Sequence, residues 1–435
     1  MWLDPASKTP LYMQITQHFK TQILDKTLPA NAKMPSIRAL ARKHDVSKTT
    51  VEKAYQQLHI EGYVQSKPKS GYYVMATETL PSVRFSKDDT VDDDKTYPNL
   101  AQREGDFRIE PLRKAFHHVM LQEGHSLYEN PRPEGELPLR RAVLRHLESE
   151  RGVEASPDNV IIGAGIQNHL MTFAAITSKR VVGYLKPIFD RAAIAFDTLG
   201  FQRMPCETLD ELLACNPDII TISPSNLYPS GDVLSINDRI RLINHAKKHG
   251  TLIIEDDYNY VFRHNAFQIP SIQGLAGGEN VIYIGSFSRN LLLGMRAGYM
   301  VLPPDLTARL KATTPFAQTV SKLDQLALAD YMNQGHYARH LKRLSSRSKR
   351  QRDLILEALK SMTLPDSIRI EGLESNLHIL IVCESESVKA RLIERAARHH
   401  LYIKTFDERP DVVLFPYGGL DDAAIESTLK QLLKA

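Results

Sequence analysis

Residues 283–301 read YIGSFSRNLLLGMRAGYMV. One apolar run closes on Ser286, Phe287, Ser288 and Arg289, and a second begins directly after Arg296. Hydroxyls and cations therefore stand where two strands end. The same grammar recurs outward along the chain. NVIIGAG (159–165), RVVGYLKP (180–187), DIITISPS (218–225) and TLIIEDDY (251–258) are short apolar runs, with helical stretches between several of them. Such alternation predicts an α/β domain with a largely parallel sheet. Ligands of these sheets sit beyond the carboxyl ends of the strands, so the residues after each run matter most.

Those residues form a set. Gly163 and Gly165 in GAGIQNHLM let the backbone close on an anion at a helix N-terminus. EDDY places carboxylates at a strand end, and SFSR places two hydroxyls and a cation, with Arg296 seven residues beyond Arg289. Taken singly, a Gly-rich turn is usually only a turn and EDD is more often a solvated strand end. Their shared placement is the signal. Phosphate donors, a carboxylate and an aromatic ring together suit a phosphorylated, protonated heteroaromatic ligand.

The N-terminal segment differs in charge. Residues 1–76 hold 11 Lys and Arg against 5 Asp and Glu, a net of +6, while the rest of the chain holds 44 against 46, a net of −2. A polyanion partner for the first segment alone follows. Leu11, Ile15, Phe19 and Ile23 recur every four positions on one helix face. Ser36 can cap a helix over 37–44, and Ser47 a third helix that turns Val51, Ala54, Tyr55 and Leu58 inward. SIRALARKHDVSKTTVEKAYQQL has the spacing of a helix-turn-helix, and YVQSKPKSGYYVM reads as two strands joined by a basic turn, a wing. The recognition helix would enter the major groove by the turn carrying Lys48, Thr49 and Thr50, with Arg38 and Lys69 reaching phosphates or the minor groove. A merely basic, solvated helical face is the plainer alternative, and the joint occurrence of helix, turn, helix and wing argues against it.

Residues 77–97 lack periodicity and carry five aspartates from Asp88 to Asp94, the pattern of an anionic tether that would not follow DNA. The division is thus 1–76, a DNA-binding head; 77–97, an acidic linker; and 98–435, an effector-binding region with a large part to about 310 and a small part over 311–435. A hydrophobic content of 42% allows sizeable cores. No run of about 18 apolar residues and no signal core occurs, so no membrane partner is expected and the cytoplasm is the expected location. Cys206, Cys215 and Cys383 lack metal-ligand spacing and are expected to be buried free thiols, with no metal site.

On MPSIRALA, VSKTTVEKAY and EGYV…KSGYYV, the head resembles the GntR family of transcription factors. The resemblance implies that Ser36, Arg38, Ser47, Lys48, Thr49, Thr50 and Gly71 lie at a double-stranded DNA surface. Glu52 stands where some members place an arginine. The order of the later motifs resembles fold-type I aminotransferases, which use pyridoxal 5′-phosphate. The fusion of the two is similar to the MocR subfamily, and resembles its PtsJ-type branch. The implied fold class is an all-α winged helix-turn-helix head plus an α/β aminotransferase-like domain with a mainly parallel sheet. The resemblance implies a phosphate loop at Gly165, Ile166 and Gln167, ring stacking by Phe189, and a segment Ser223–Gly231, with Asn226, lining the ring's oxygen side. It also implies that Asp256 meets the pyridine nitrogen, that Tyr258 meets the ring hydroxyl, and that Ser286, Ser288 and Arg296 complete the phosphate ligands.

Two departures follow. The family holds its cofactor on a lysine in TFSK, and Arg289 stands there in this chain. A guanidinium stays protonated and is a poor nucleophile, so Arg289 is a binding group and no internal aldimine is expected. The late strand DVVLFPYGG lacks the arginine that clamps an amino acid's carboxylate, and Arg409 only precedes it. No other lysine is apparent for the pocket. No catalytic residue and no transamination are expected. The expectation is a regulator that senses pyridoxal or pyridoxamine 5′-phosphate reversibly, controls vitamin B6 salvage, and pairs as a homodimer, with heads that can be exchanged. The alternatives are a residual aminotransferase-like enzyme and a ligand-free dimerisation scaffold.

Overall fold

The computed structural model describes residues 3–5, 7, 9–68, 70–75, 107–262, 269–288, 290–313, 317–373 and 377–433. Arg289, Lys69 and the linker at 77–97 lie outside the described residues. The chain divides into two compact units, 1–96 and 97–435.

In the first unit, α1 (Leu11–Leu24) buries Ile15, Phe19 and Ile23. The Ser36 hydroxyl accepts the N–H of Ala39 and starts α2 (Ile37–His44), which ends where Asp45 turns left-handed at φ 51°. Ser47 accepts the N–H of Thr50 and starts α3 (Lys48–Ile60), which buries Val51, Ala54, Tyr55 and Leu58. Each cap satisfies a donor that the helix itself cannot, worth about 1 kcal/mol. The Tyr55 hydroxyl donates to the carbonyl of Pro35 at 2.9 Å, fixing α3 against the start of α2. Strands β1 (Val64–Lys67) and β2 (Gly71–Val74) form an antiparallel hairpin, and Lys33 bridges to Tyr73 at its side. This is the expected winged helix-turn-helix.

The second unit holds a seven-stranded sheet. Its strands are β3 (Val160–Gly163), β4 (Val181–Leu185), β5 (Gln202–Cys206), β6 (Ile219–Ile222), β7 (Leu252–Asp256), β8 (Val281–Ser286) and β9 (Gly298–Val301), in the order β3-β9-β8-β7-β6-β4-β5. The neighbours from β5 to β8 are parallel, and β9 runs antiparallel to both β8 and β3. Helices α4 (Ile109–Gln122), α5 (Leu137–Arg151), α6 (Ile166–Ile176), α7 (Asp190–Thr198), α8 (Leu209–Cys215) and α9 (Ile236–His249) supply most of the connections and cover. Buried on both faces, strands such as β7 and β8 read as continuous apolar runs. After the long helix His336–Lys360 comes a four-stranded antiparallel sheet of β10 (Ile368–Glu371), β11 (His378–Cys383), β13 (Val412–Pro416) and β12 (Lys404–Thr405), in that order.

The topology puts the ends of β3, β4, β6, β7 and β8 and the start of β9 on one edge of the sheet. Beneath that edge lies a buried ion pair. Arg151, the last residue of α5, donates through Nε to Asp257 Oδ2 at 2.6 Å, and through its other nitrogens to Ser225 Oγ at 2.9 Å and the Ile269 carbonyl at 3.0 Å. The Tyr283 hydroxyl donates to the same Asp257 oxygen at 2.9 Å. Cys206 and Cys383 are buried, but Cys215 is exposed, because it ends α8 on the solvent side. Among the described residues no helix is long and apolar enough to cross a membrane, and no cluster suits a metal ion.

Replacing Asp257 with Ala leaves the Arg151 guanidinium buried beside Tyr283 without its carboxylate. Loss of one partner from a buried pair is expected to cost about 3–5 kcal/mol, read as a fall in the urea midpoint at unchanged slope.

Candidate nucleic-acid interface and ligand site

In the first unit the N-terminal turns of α2 and α3 present Ser36, Arg38, Ser47, Lys48 and Thr49 to solvent, with Thr50 half-buried. The hydroxyls of Ser47 and Thr50 lie 2.8 Å apart, so both are partly engaged in the cap. Gly71 opens β2 at φ 112°, where a side chain would be strained. Glu52 is exposed on α3. Two further cations stand beside the hairpin. Lys33 and Lys67 place their ammonium groups 5.9 and 4.6 Å from the centre of the Tyr73 ring, and the Tyr73 hydroxyl pairs with Ser70 at 2.7 Å. Sequence spacing could have flagged Lys67, in the wing. Lys33 joins through tertiary pairing alone.

In the second unit the loop Gly163–Gly165 leads from β3 into α6. The Ala164 N–H is held by Asn168 Oδ1 and Thr319 Oγ1, at 3.2 and 3.0 Å, and its carbonyl accepts from Arg296 Nη2 at 3.4 Å. Gly165 stands at φ 91° as the N-cap of α6 and has no side chain to satisfy the first N–H groups of the helix. A Cβ on Gly165 would stand 3.0 Å from Arg296 Nη2. The result is an uncapped helix N-terminus beside a guanidinium, a donor set that fits a phosphate. Ile166 is half-buried and Gln167 exposed at the same turn.

Around this cradle the strand ends contribute in turn. Asp256 and Tyr258, at the end of β7, are half-buried, while their neighbours Glu255 and Asp257 are fully buried. Glu255 accepts from the backbone N–H groups of Ile272 and Gln273, both at 2.9 Å, and burial raises its pKa. Three consecutive acids thus have three environments, and only Asp256 faces the edge without full burial. Asn226, after β6, is 3% exposed, and its Oδ1 has no partner. A buried acceptor without a donor fits a ligand group that supplies one. Phe189 lies near-parallel to Tyr258, with centroids 6.4 Å apart and planes 19° apart, and edge-on to Tyr228 at 6.1 Å.

The Ser288 hydroxyl is tied to the backbone of Ala297, accepting its N–H at 3.1 Å, so it closes the turn before β9. Ser286 stands half-buried at the end of β8. Arg409 lies beside Asp411 and Glu371, at 3.5 and 3.8 Å, on the C-terminal sheet. The reading that no further lysine approaches the pocket is corrected. Lys404 of β12 brings its ammonium 5.9 Å from the Phe189 ring centre. That ammonium is committed to Asp190 Oδ2 and Tyr228 Oη, each at 2.7 Å. Below the Gly163–Gly165 loop, His169 of α6 is 1% exposed with both ring nitrogens unpartnered, and burial pushes its pKa down to about 4.

A winged helix-turn-helix and an aminotransferase-type sheet with a cradle at its strand ends define one class, DNA-binding regulators that carry an aminotransferase-like domain. Residues 11–74 match the family described as bacterial regulatory proteins of the gntR family, and residues 96–412 match aminotransferase class I and II. The chain is 32% identical to the HTH-type transcriptional regulator YdeL of Bacillus subtilis, over 100% of this chain and 98% of that one. It is 26% identical to the probable rhizopine catabolism regulatory protein MocR of Rhizobium meliloti, over 100% and 95%. It is 24% identical to the pyridoxine biosynthesis transcriptional regulator PdxR of Corynebacterium glutamicum, over 100% and 97%. Among solved structures, the kynurenine aminotransferase of Pyrococcus horikoshii superposes with a TM-score of 0.66 at 20% identity, over 77% of this chain and 88% of that one. The chain belongs to the GntR family, among the regulators of MocR type, and binds DNA through its first unit.

Arg38→Ala and Lys48→Ala are each expected to weaken duplex binding and to flatten its dependence on log[salt] by about one for each phosphate left without its cation, read by fluorescence anisotropy. Unchanged affinity in both would rule out this recognition surface. For His169, the unfolded imidazole takes up a proton near its ordinary pKa, while the folded one resists until about 4. Stability from this group is therefore present above about pH 6.5 and lost as pH falls toward 4, by at most about 3 kcal/mol. His169→Gln is expected to flatten that part of the stability curve. His146, also lowered to about 4 by burial, keeps its own share in the variant.

Proposed function

We propose that the second unit is a reversible receptor for a vitamin B6 phosphate and that its occupancy adjusts DNA binding by the first. The observation that carries this reading is the cradle at Gly165, an uncapped helix N-terminus with the Arg296 guanidinium alongside. Gly165, Ile166, Gln167 and Arg296 would hold the phosphate, with Ser286 and Arg289 beside it, and Ser288 would hold the turn that presents them. Phe189 would face the pyridine ring, Asp256 its nitrogen, and Asn226 and Tyr258 its oxygen side. The vitamer supplies a phosphate and a protonatable ring nitrogen for these groups to recognise. Arg289 stands where the family places its reacting lysine, and Lys404 is engaged with Asp190, so the bound molecule is held without a covalent bond and no amino group is transferred.

Pyridoxamine phosphate suits such a site as well as pyridoxal phosphate, since its amine needs no lysine partner. The relative PdxR is named for pyridoxine biosynthesis, which supports vitamin B6 supply or salvage as the process controlled. A homodimer would present two winged helices to two half-sites of an operator. The ligand can alter DNA affinity only by binding two arrangements of the heads unequally.

Calorimetric titration with pyridoxal phosphate and pyridoxamine phosphate, repeated with Asp256→Ala, tests the reading. Saturable binding that the substitution weakens about tenfold or more is expected, the size of one charge-assisted hydrogen bond. Absence of heat with both vitamers in the unaltered protein would reduce the second unit to a scaffold for its heads.

A further inference from the structure

The residues on either side of Phe189 are both tied to one short segment, 404–408, that begins in β12 and runs on into the loop after it. Before it, the Ile188 N–H donates to Glu408 Oε2 at 3.3 Å. After it, Asp190 Oδ2 meets Lys404 Nζ at 2.7 Å. The second oxygen of Glu408 accepts from the Tyr184 hydroxyl, in β4, at 2.6 Å, with Arg203 Nη1 3.6 Å away. Lys404 also donates to the Tyr228 hydroxyl at 2.7 Å, and lies 5.3, 5.4 and 5.9 Å from the ring centres of Tyr228, Phe406 and Phe189. The segment 404–408 therefore grips the large sheet at two points that straddle a single residue.

The core alone does not fix that residue. Phe189 packs against one side of the large sheet's apolar core but stays partly exposed. It is the N-cap of α7 and has no side-chain acceptor for the first N–H groups of the helix. Its aromatic neighbour Tyr228 depends on the same segment, being bonded to Lys404 and packed edge-on against Phe406. An exposed ion pair alone contributes little. Asp190 is 60% exposed, so its pairing with Lys404 alone adds little, but the Lys404 side chain is only 17% exposed and the Glu408 side chain 27%, and three rings lie within 6 Å of the ammonium, conditions in which cation–π contacts help to hold geometry.

We infer that Lys404 and Glu408 form a strap that positions Phe189, so that the C-terminal sheet sets the ring-binding face of the site. The inference rests on the reading of Phe189 as the residue facing the vitamer's ring, and it adds two positioning residues that touch no ligand. A displacement of β12 would reach the site through these two contacts, which gives the small sheet a lever on ligand affinity.

Two measurements on the full chain test it, on wild type, Lys404→Met, Lys404→Arg, Glu408→Gln and the Lys404→Met/Glu408→Gln double variant. Hydrogen exchange of the ligand-free protein, followed in the peptide covering 184–196, reads the strap directly. Glu408→Gln and the double variant are expected to exchange the Ile188 amide about tenfold faster, with Lys404→Arg near wild type. Titration with pyridoxamine phosphate reads the consequence. Affinity is expected to fall about tenfold in Lys404→Met and in Glu408→Gln, and to be largely kept in Lys404→Arg, which preserves the charge and the ring contacts. Unchanged exchange in the double variant overturns the strap whatever the ligand does. Faster exchange with unchanged affinity overturns its role in positioning. If wild type shows no heat with pyridoxamine phosphate, the vitamer reading fails, while the exchange result still decides whether 404–408 holds Phe189.

Discussion

The Arg151–Asp257 pair is the constraint on which the ligand edge depends. One guanidinium reaches the end of α5, the loop after β6, the end of β7 and the carbonyl of Ile269, and Tyr283 closes on the same carboxylate from β8. The two charges are out of water, yet Asp257 holds the guanidinium firmly protonated against the effect of burial. Such a pair is costly to break because each partner would be left charged and dry. Its structural effect is to fix where β7 stops. Asp256 and Tyr258 lie on either side of Asp257, so anchoring that one residue orders the two groups that reach the edge.

From that anchor the site is assembled by topology. The parallel strands bring their ends to one edge, and the antiparallel β9 returns Arg296 to it from the far side of a turn closed by Ser288 and Ala297. The Gly163–Gly165 loop is preorganised, since Asn168, Thr319 and Arg296 already hold the Ala164 peptide. Binding energy need not be spent ordering that loop. In the function proposed here, Arg289 takes the place of the amine through which an aminotransferase reacts, and the loop at Gly165 with Arg296 is kept for binding. That division suits a receptor attached to a DNA-binding head.

Much of this was legible because it is local. The capping serines, the four-residue apolar spacing and the inward set Val51, Ala54, Tyr55 and Leu58 are short-range signals, and the first unit follows them residue by residue. The α/β class was readable from strand-length apolar runs, since parallel strands buried on both faces leave no polar alternation. What escaped is tertiary. Nothing in EDD distinguishes an acid bonded to the backbone, an acid at the edge and an acid paired with Arg151, more than a hundred residues earlier. Lys404 lies in a two-residue strand, and its neighbours Asp190 and Tyr228 are more than 170 residues away in sequence. The bond between the Ser288 hydroxyl and the Ala297 N–H, which closes the turn before β9, has no signal in the sequence. Cys215 looked like a core thiol by composition, yet ends a surface helix.

The central claim, a vitamer held without a covalent bond, is tested most directly by borohydride reduction followed by intact mass. The protein is mixed with an equimolar amount of pyridoxal phosphate, reduced, and weighed before and after dialysis. A reversible receptor gives the unmodified chain mass, with the ligand recovered in the dialysate as pyridoxine 5′-phosphate, its aldehyde reduced to the alcohol. A stoichiometric reduced adduct on a single lysine would show that an amine does reach the aldehyde, and would contradict the reading of Arg289 as the mark of a sensor.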